Sequence, residues 1–103
     1  MNETDLMNRI RLRLSELGFC VFRANVGRVR TPDGRFFDTG LPKGFSDLFA
    51  VRDGKIYFLE VKVKPNKPTP EQIAFLKTMT EKYRCQGRVV YSVEEAEEFC
   101  CDS

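Results

Sequence analysis

The stretch from Asp47 to Val63 constrains the fold more than any other part of the chain. Two runs of strand-forming residues, DLFAVR and KIYFLEVKV, are separated only by Asp53-Gly54, a dipeptide that favours a two-residue type I′ hairpin. The second run is apolar on both faces, with Ile56 and Phe58 on one and Tyr57, Leu59, Val61 and Val63 on the other, which predicts a strand in the interior of a sheet. With Asp53 and Gly54 as the loop, Arg52 faces Lys55, and each further step along one strand is matched by a step along the other. This register sets Asp47 opposite Glu60. Facing residues have Cβ atoms about 4.5–5.5 Å apart, and like charges there repel; a divalent cation shared by the two carboxylates would offset that repulsion. Lys62, two residues beyond Glu60, points to the same face. A reading without chemistry also stands, because Asp47 can cap a strand and Glu60 can pair with Lys62 across solvent, and Glu-x-Lys alone is a common tripeptide.

The elements around this hairpin predict an α/β fold. Leu6, Ile10, Leu14 and Leu17 recur at helical spacing over Glu3 to Leu17, and Gly18 closes that helix. Phe19 to Ala24 reads as a short strand. The connection from Asn25 to Gly44 is basic and contains Pro32-Asp33-Gly34, so a small hairpin from Arg28 to Phe37 is expected within it. After the central hairpin, Pro65 and Pro68 end the strand. Thr69-Pro70-Glu71-Gln72 carries the signals of a helix start, with Thr69 as N-cap and Gln72 three residues on; Ile73, Leu76, Met79 and Tyr83 are the expected buried stripe. Gly87 is expected to break the chain before a strand from Arg88 to Ser92, and Val93 to Cys101 reads as a final acidic helix. A strand, a helix and a strand in that order favour a parallel crossover. At 103 residues the chain is expected to form one domain, residues 1–103.

Absences narrow the chemistry. The sequence has no histidine, which excludes Ser-His and Cys-His nucleophiles, a histidine base and a histidine-metal nuclease. Cys20, Cys85, Cys100 and Cys101 include no C-x-x-C pair, so a zinc site is not expected, and without a secretory signal the thiols are expected to stay reduced. No apolar run approaches the roughly 18 residues of a membrane span, and a cytoplasmic protein is the expectation. All seventeen Lys and Arg lie at or before Arg88, with ten acids in the same stretch, an excess of seven positive charges that suits a polyanion; it equally suits an ordinary solvated surface followed by an acidic tail. Two more polar residues stand out. Glu3 shares a helix face with Leu6, Met7 and Ile10, where an acid is unusual, although a first-turn glutamate also suits the helix dipole. Gln72 has a sufficient role in the capping box with Thr69.

Leu41-Pro42-Lys43-Gly44-Phe45-Ser46-Asp47-Leu48, then Phe58-Leu59-Glu60-Val61-Lys62, then Gln72 together resemble the VRR-NUC family of the PD-(D/E)XK nuclease superfamily, from Glu3 to about Ser92. The resemblance implies a restriction-endonuclease-like core of helix, three-strand antiparallel meander, helix and strand, followed here by the short C-terminal helix. It implies that Asp47, Glu60 and the backbone carbonyl of Val61 hold Mg²⁺ or Mn²⁺, joined by Glu3 directly or through water. Lys62 would orient or activate the attacking water, and Gln72 would contact metal-bound water or phosphate. Ser46 departs from the proline that many relatives in the superfamily carry before the aspartate. Stand-alone members of the family, found in phages and prophages, look like homodimeric four-way (Holliday) junction resolvases, so the implied activity is a metal-dependent endodeoxyribonuclease acting on branched or double-stranded DNA. Flap, nicking or restriction-type cleavage and a non-catalytic DNA-binding module are the alternatives. Arg23, Asn25, Arg30, Arg35, Lys43, Ser46 and Lys64 are the candidate DNA contacts, with solvated loop charge as the plainer reading of each. The segment from Arg28 to Lys43 would bind branched DNA or exchange between protomers. No element resembles a recognition helix or a base-stacking platform, so readout of shape is expected.

Overall fold

The computed structural model describes residues 1–24, 28–38 and 40–101, the segments 28–30 and 36–38 by backbone alone. In chain order the elements are α1 (Glu3–Glu16), β1 (Cys20–Arg23), β2 (Arg28–Arg30), β3 (Phe36–Asp38), β4 (Leu48–Arg52), β5 (Lys55–Val61), α2 (Pro70–Lys77), β6 (Gln86–Val90) and α3 (Val93–Cys101). Strands β1, β4, β5 and β6 form one sheet in that spatial order, while β2 and β3 form a separate two-stranded sheet. The β1–β4 and β4–β5 pairings are antiparallel and β5–β6 is parallel, as the strand, helix, strand order predicted.

Local chemistry sets the central hairpin. Asp53 and Gly54 take φ of +52° and +78°, the positive pair that a type I′ turn requires, and Arg52 pairs with Lys55 as the loop length dictates. From there the ladder runs to Leu48 opposite Leu59. Strand alternation then divides the sheet into two faces. Leu48, Ala50, Tyr57, Leu59, Val61 and Val90 form a core with Leu6, Met7, Ile10 and Leu14 of α1 and Ala96 and Cys100 of α3; each large side chain buried there contributes about 1.5–3 kcal/mol. Arg13 of α1 fastens the two helices through Glu97 of α3, with Nε donating to Oε1 at 3.1 Å. On the opposite face lie Phe49 and Phe58, and Phe75 of α2 meets Phe58 edge-on at 5.5 Å and Phe45 at 4.8 Å. The sheet is thus covered by α1 and α3 on one side and by α2 on the other.

Two expectations for the second half of the chain are corrected. Gly87 does not break the chain but sits inside β6, where a Cβ would lie 3.1 Å from Leu76 Cδ2 and 3.3 Å from Thr80 Cγ2; the glycine lets α2 approach the sheet. The expected stripe Ile73, Leu76, Met79 and Tyr83 is buried only in its middle, because Ile73 is 52% and Tyr83 58% exposed. Helix α2 ends at Lys77 and continues as a π-helical turn from Thr78 to Lys82, whose wider winding moves later residues out of phase with a 3.6-residue stripe. Leu76 is the fully buried member of that stripe, with Phe75 half-buried beside it. The small hairpin forms where Pro32-Asp33-Gly34 suggested, closed by Thr31 N–H donating to Arg35 O at 2.7 Å and Gly34 N–H to Thr31 O at 2.9 Å.

Candidate active site

The β4–β5 ladder stops one step short of Asp47 and Glu60, and its register carried one residue further sets them face to face. Asp47 is tethered twice. Its carbonyl accepts the Ala24 N–H at 2.9 Å, and its Oδ2 accepts the Val61 N–H at 2.9 Å, so β1 and β5 together fix the carboxylate at the end of the sheet. Glu60 is 0% exposed, and neither of its carboxyl oxygens meets a hydrogen-bond donor. The Lys62 Nζ stands 3.7 Å from Glu60 Oε1, an ion-pair distance beyond hydrogen-bond length. The plainer reading of Glu60, an ion pair across solvent, therefore does not describe its surroundings.

Burial, and after it the charge of Asp47, push the Glu60 carboxyl from its ordinary 4.5 up to about 8, against a smaller lowering by Lys62. An ionised carboxylate buried without donors is costly, and it must take up a proton or a cation. The donor set suits a hard divalent ion, which takes carboxylate and backbone carbonyl oxygens. The Val61 carbonyl points to the side of Asp47: in an extended strand a residue's N–H and C=O share one side, and the Val61 N–H points to Asp47 while the Lys62 N–H points away to Val90 O at 3.1 Å. Ser46 adds a buried hydroxyl whose Oγ also lacks a partner.

The other expected site residues are not all drawn to this point. Glu3 accepts from Asn66 Nδ2 through Oε2 at 3.2 Å, tying the first turn of α1 to the loop after β5. Among the described residues no group of three or more His, Cys, Asp or Glu side chains could hold a metal ion, so Glu3 does not join Asp47 and Glu60 as a third carboxylate. Gln72 completes the capping box, accepting the Thr69 N–H through Oε1 at 2.8 Å while its own N–H donates to Thr69 Oγ1 at 3.2 Å. Sequence reasoning passed over Asn66, whose pairing with Glu3 spans 63 positions and leaves no local trace. Gly44, within the Leu41 to Leu48 motif, is required by the fold: φ is +94°, and a Cβ would lie 2.4 Å from the Glu71 carbonyl oxygen. The loop leading to Asp47 thereby packs on the first turn of α2.

The candidate DNA contacts scatter. Ser46 is corrected, because a side chain 0% exposed is out of reach of a phosphate. Arg23 is exposed but pairs with Leu48, so alternation turns it to the core face rather than to that of Asp47. Arg35 is engaged by Asp33, with Nη2 2.7 Å from Oδ2, and holds the Asp33 carboxyl below its usual range. Lys43 Nζ lies 3.6 Å from Glu71 Oε1. Lys64, exposed, stands over the Tyr91 ring at 5.6 Å. Asn25 and the side chain of Arg30 lie outside the described residues.

No family model and no curated protein matches the chain. Among solved structures, one described as a VRR_NUC domain is similar with a TM-score of 0.66 and 24% sequence identity, over 95% of this chain and 92% of that one. The chain has the fold of that domain.

Proposed function

We propose that this chain belongs to the VRR-NUC family and acts as a metal-dependent, structure-selective endodeoxyribonuclease, a four-way junction resolvase by first preference. The observation that carries the reading is Glu60, a carboxylate wholly buried and without donors, beside Asp47 and 3.7 Å from the Lys62 ammonium. A structural role alone gives little reason to retain such a group, since a buried acid without a hydrogen bond to its oxygens lowers the stability of its fold. The shared fold with a VRR_NUC domain supports the same reading independently.

In this reading Asp47, Glu60 and the Val61 carbonyl hold Mg²⁺ or Mn²⁺. An ion held there would supply Lewis acidity toward the scissile phosphate and toward a water. Asp47, held by Ala24 and Val61, fixes the position of the site relative to the sheet. Lys62 lies near enough to Glu60 to orient the attacking water and to offset the charge that develops on the phosphate oxygens. Gln72, with Oε1 occupied by the helix cap, retains its amide NH₂ for a phosphate or an ordered water, and Glu3 acts through water. A homodimer matches the two-fold relation of the strands nicked in a four-way junction, with Asn25, Arg30, Arg35, Lys43 and Lys64 near the DNA backbone. The cytoplasm is the proposed location; among the described residues no helix is long and apolar enough to cross a membrane.

The test is cleavage of labelled four-way junctions, flaps and linear duplexes by wild type and Asp47→Ala, with and without Mg²⁺ or Mn²⁺. Paired, metal-dependent nicks in junctions that vanish in Asp47→Ala support the resolvase. Equal cleavage of every duplex points to a flap, nicking or restriction-type nuclease, and binding without cleavage under all conditions removes the enzyme reading.

A further inference from the structure

Resting on the nuclease reading, we propose that the stacked rings of Phe22 and Phe49 form a platform for an unpaired base next to the scissile phosphate, so that the preferred substrate carries an unstacked nucleotide at the cut. Phe22 and Phe49 face each other across the β1–β4 ladder, and their rings stack with centroids 4.9 Å apart at an interplanar angle of 20°. Phe49 is held from behind, its ring meeting Phe45 at 6.2 Å and Phe58 at 6.4 Å, whereas Phe22 is 46% exposed. An isolated exposed aromatic is ordinary. This one is the open end of a ring stack, on the face of the sheet that carries the carboxylate pair.

Position supplies the second argument. Phe49 is two residues beyond Asp47, and alternation sets both on one face. Phe22 is two residues before Ala24, whose N–H bonds the Asp47 carbonyl at 2.9 Å. With about 3.3 Å of rise per residue and about 4.8 Å between strands, the Phe22 and Asp47 Cα atoms are about 8 Å apart, within reach of a base attached to a nucleotide flanking the phosphate at Asp47. A flat apolar ring suits the face of an unstacked base of any identity, and a paired base inside a duplex cannot reach it. This revises the expectation that the chain has no stacking platform: the two phenylalanines lie 27 positions apart, and only the β1–β4 register brings them together.

The test uses the full chain with Ca²⁺, to observe binding without cleavage, and two labelled duplexes, one fully paired and one with a single unpaired 2-aminopurine at its centre. Wild type should bind the unpaired duplex more tightly and quench its fluorescence. Phe22→Ala should weaken that binding about five- to hundredfold, the range seen for loss of one stacking ring, and abolish the quenching, while Phe22→Tyr should bind within about twofold of wild type. Equal affinity of wild type and Phe22→Ala for the unpaired duplex overturns the inference. So does an equal loss on both duplexes, or a change from dimer to monomer in sedimentation, which would assign Phe22 to a contact with a second copy. Failure of the nuclease reading is seen separately, as absence of cleavage of any DNA with Mg²⁺ or Mn²⁺.

Discussion

Replacing Glu60 by Gln should stabilise the metal-free protein, by an amount that grows with pH. The Gln side chain has nearly the shape of the protonated carboxyl and cannot ionise, so the variant mimics one protonation state of the native group. Because burial and Asp47 raise the Glu60 carboxyl from 4.5 to about 8, the direction is fixed. Below pH 4.5 the group is neutral in folded and unfolded chains alike and costs nothing. Between pH 4.5 and 8 the unfolded chain releases a proton that the folded chain keeps, and stability falls as pH rises. Above pH 8 both forms are ionised and the loss is complete. At about 1.4 kcal/mol per pKa unit, the wild type should lose about 1 kcal/mol by pH 5, about 3 kcal/mol by pH 7 and up to about 5 kcal/mol above pH 9. For a domain of this size the difference at pH 7 corresponds to about 10–20 °C in melting temperature. The assay is urea unfolding of wild type and Glu60→Gln in chelator at pH 5, 7 and 9. A difference that stays flat across the three values, or a variant less stable than wild type at pH 9, would refute the argument that Glu60 is held as an uncompensated buried acid.

Four further outcomes follow from the same geometry. Millimolar Mn²⁺ should raise the melting temperature of wild type at pH 8 in a concentration-dependent way, and the rise should vanish in Asp47→Ala, as scanning fluorimetry will show. Lys62→Met should lower metal-dependent cleavage at least about a hundredfold, as loss of a group that stabilises developing charge does, while Mn²⁺ binding measured by calorimetry persists. Gly44→Ala should destabilise the fold by about 1–3 kcal/mol, since its φ of +94° and the Glu71 carbonyl oxygen 2.4 Å from the added Cβ leave no strain-free position; denaturant titration measures it. Thr69→Ala should cost about 1 kcal/mol through loss of the capping box, and if Gln72 also serves the DNA, Gln72→Ala should lower cleavage well beyond what Thr69→Ala does at matched stability.

Much of the site was legible in the chain because its parts are local. Asp53-Gly54 fixes the hairpin register through backbone dihedrals alone, and that register, copied step by step along two strands, brings Asp47 opposite Glu60 and Lys62 beside it. The capping box of Thr69 and Gln72 is local in the same way. The parts that were misread are those where a distant element decides. Gly87 reads as a chain breaker until α2 is seen pressing Leu76 onto it, and Tyr83 reads as a core residue until the π-helical turn shifts the phase. Ser46 reads as a loop hydroxyl until the fold closes over it.

The order of the elements, the central hairpin and the pairing of two acids with a lysine are written locally in the chain, because hydrogen-bond registers and turn dihedrals depend on near neighbours. Packing of distant segments sealed Glu60 from solvent, joined Glu3 to Asn66 and stacked Phe22 on Phe49. Burial is a property of everything that surrounds a side chain, and the pieces that surround these come from both ends of the chain.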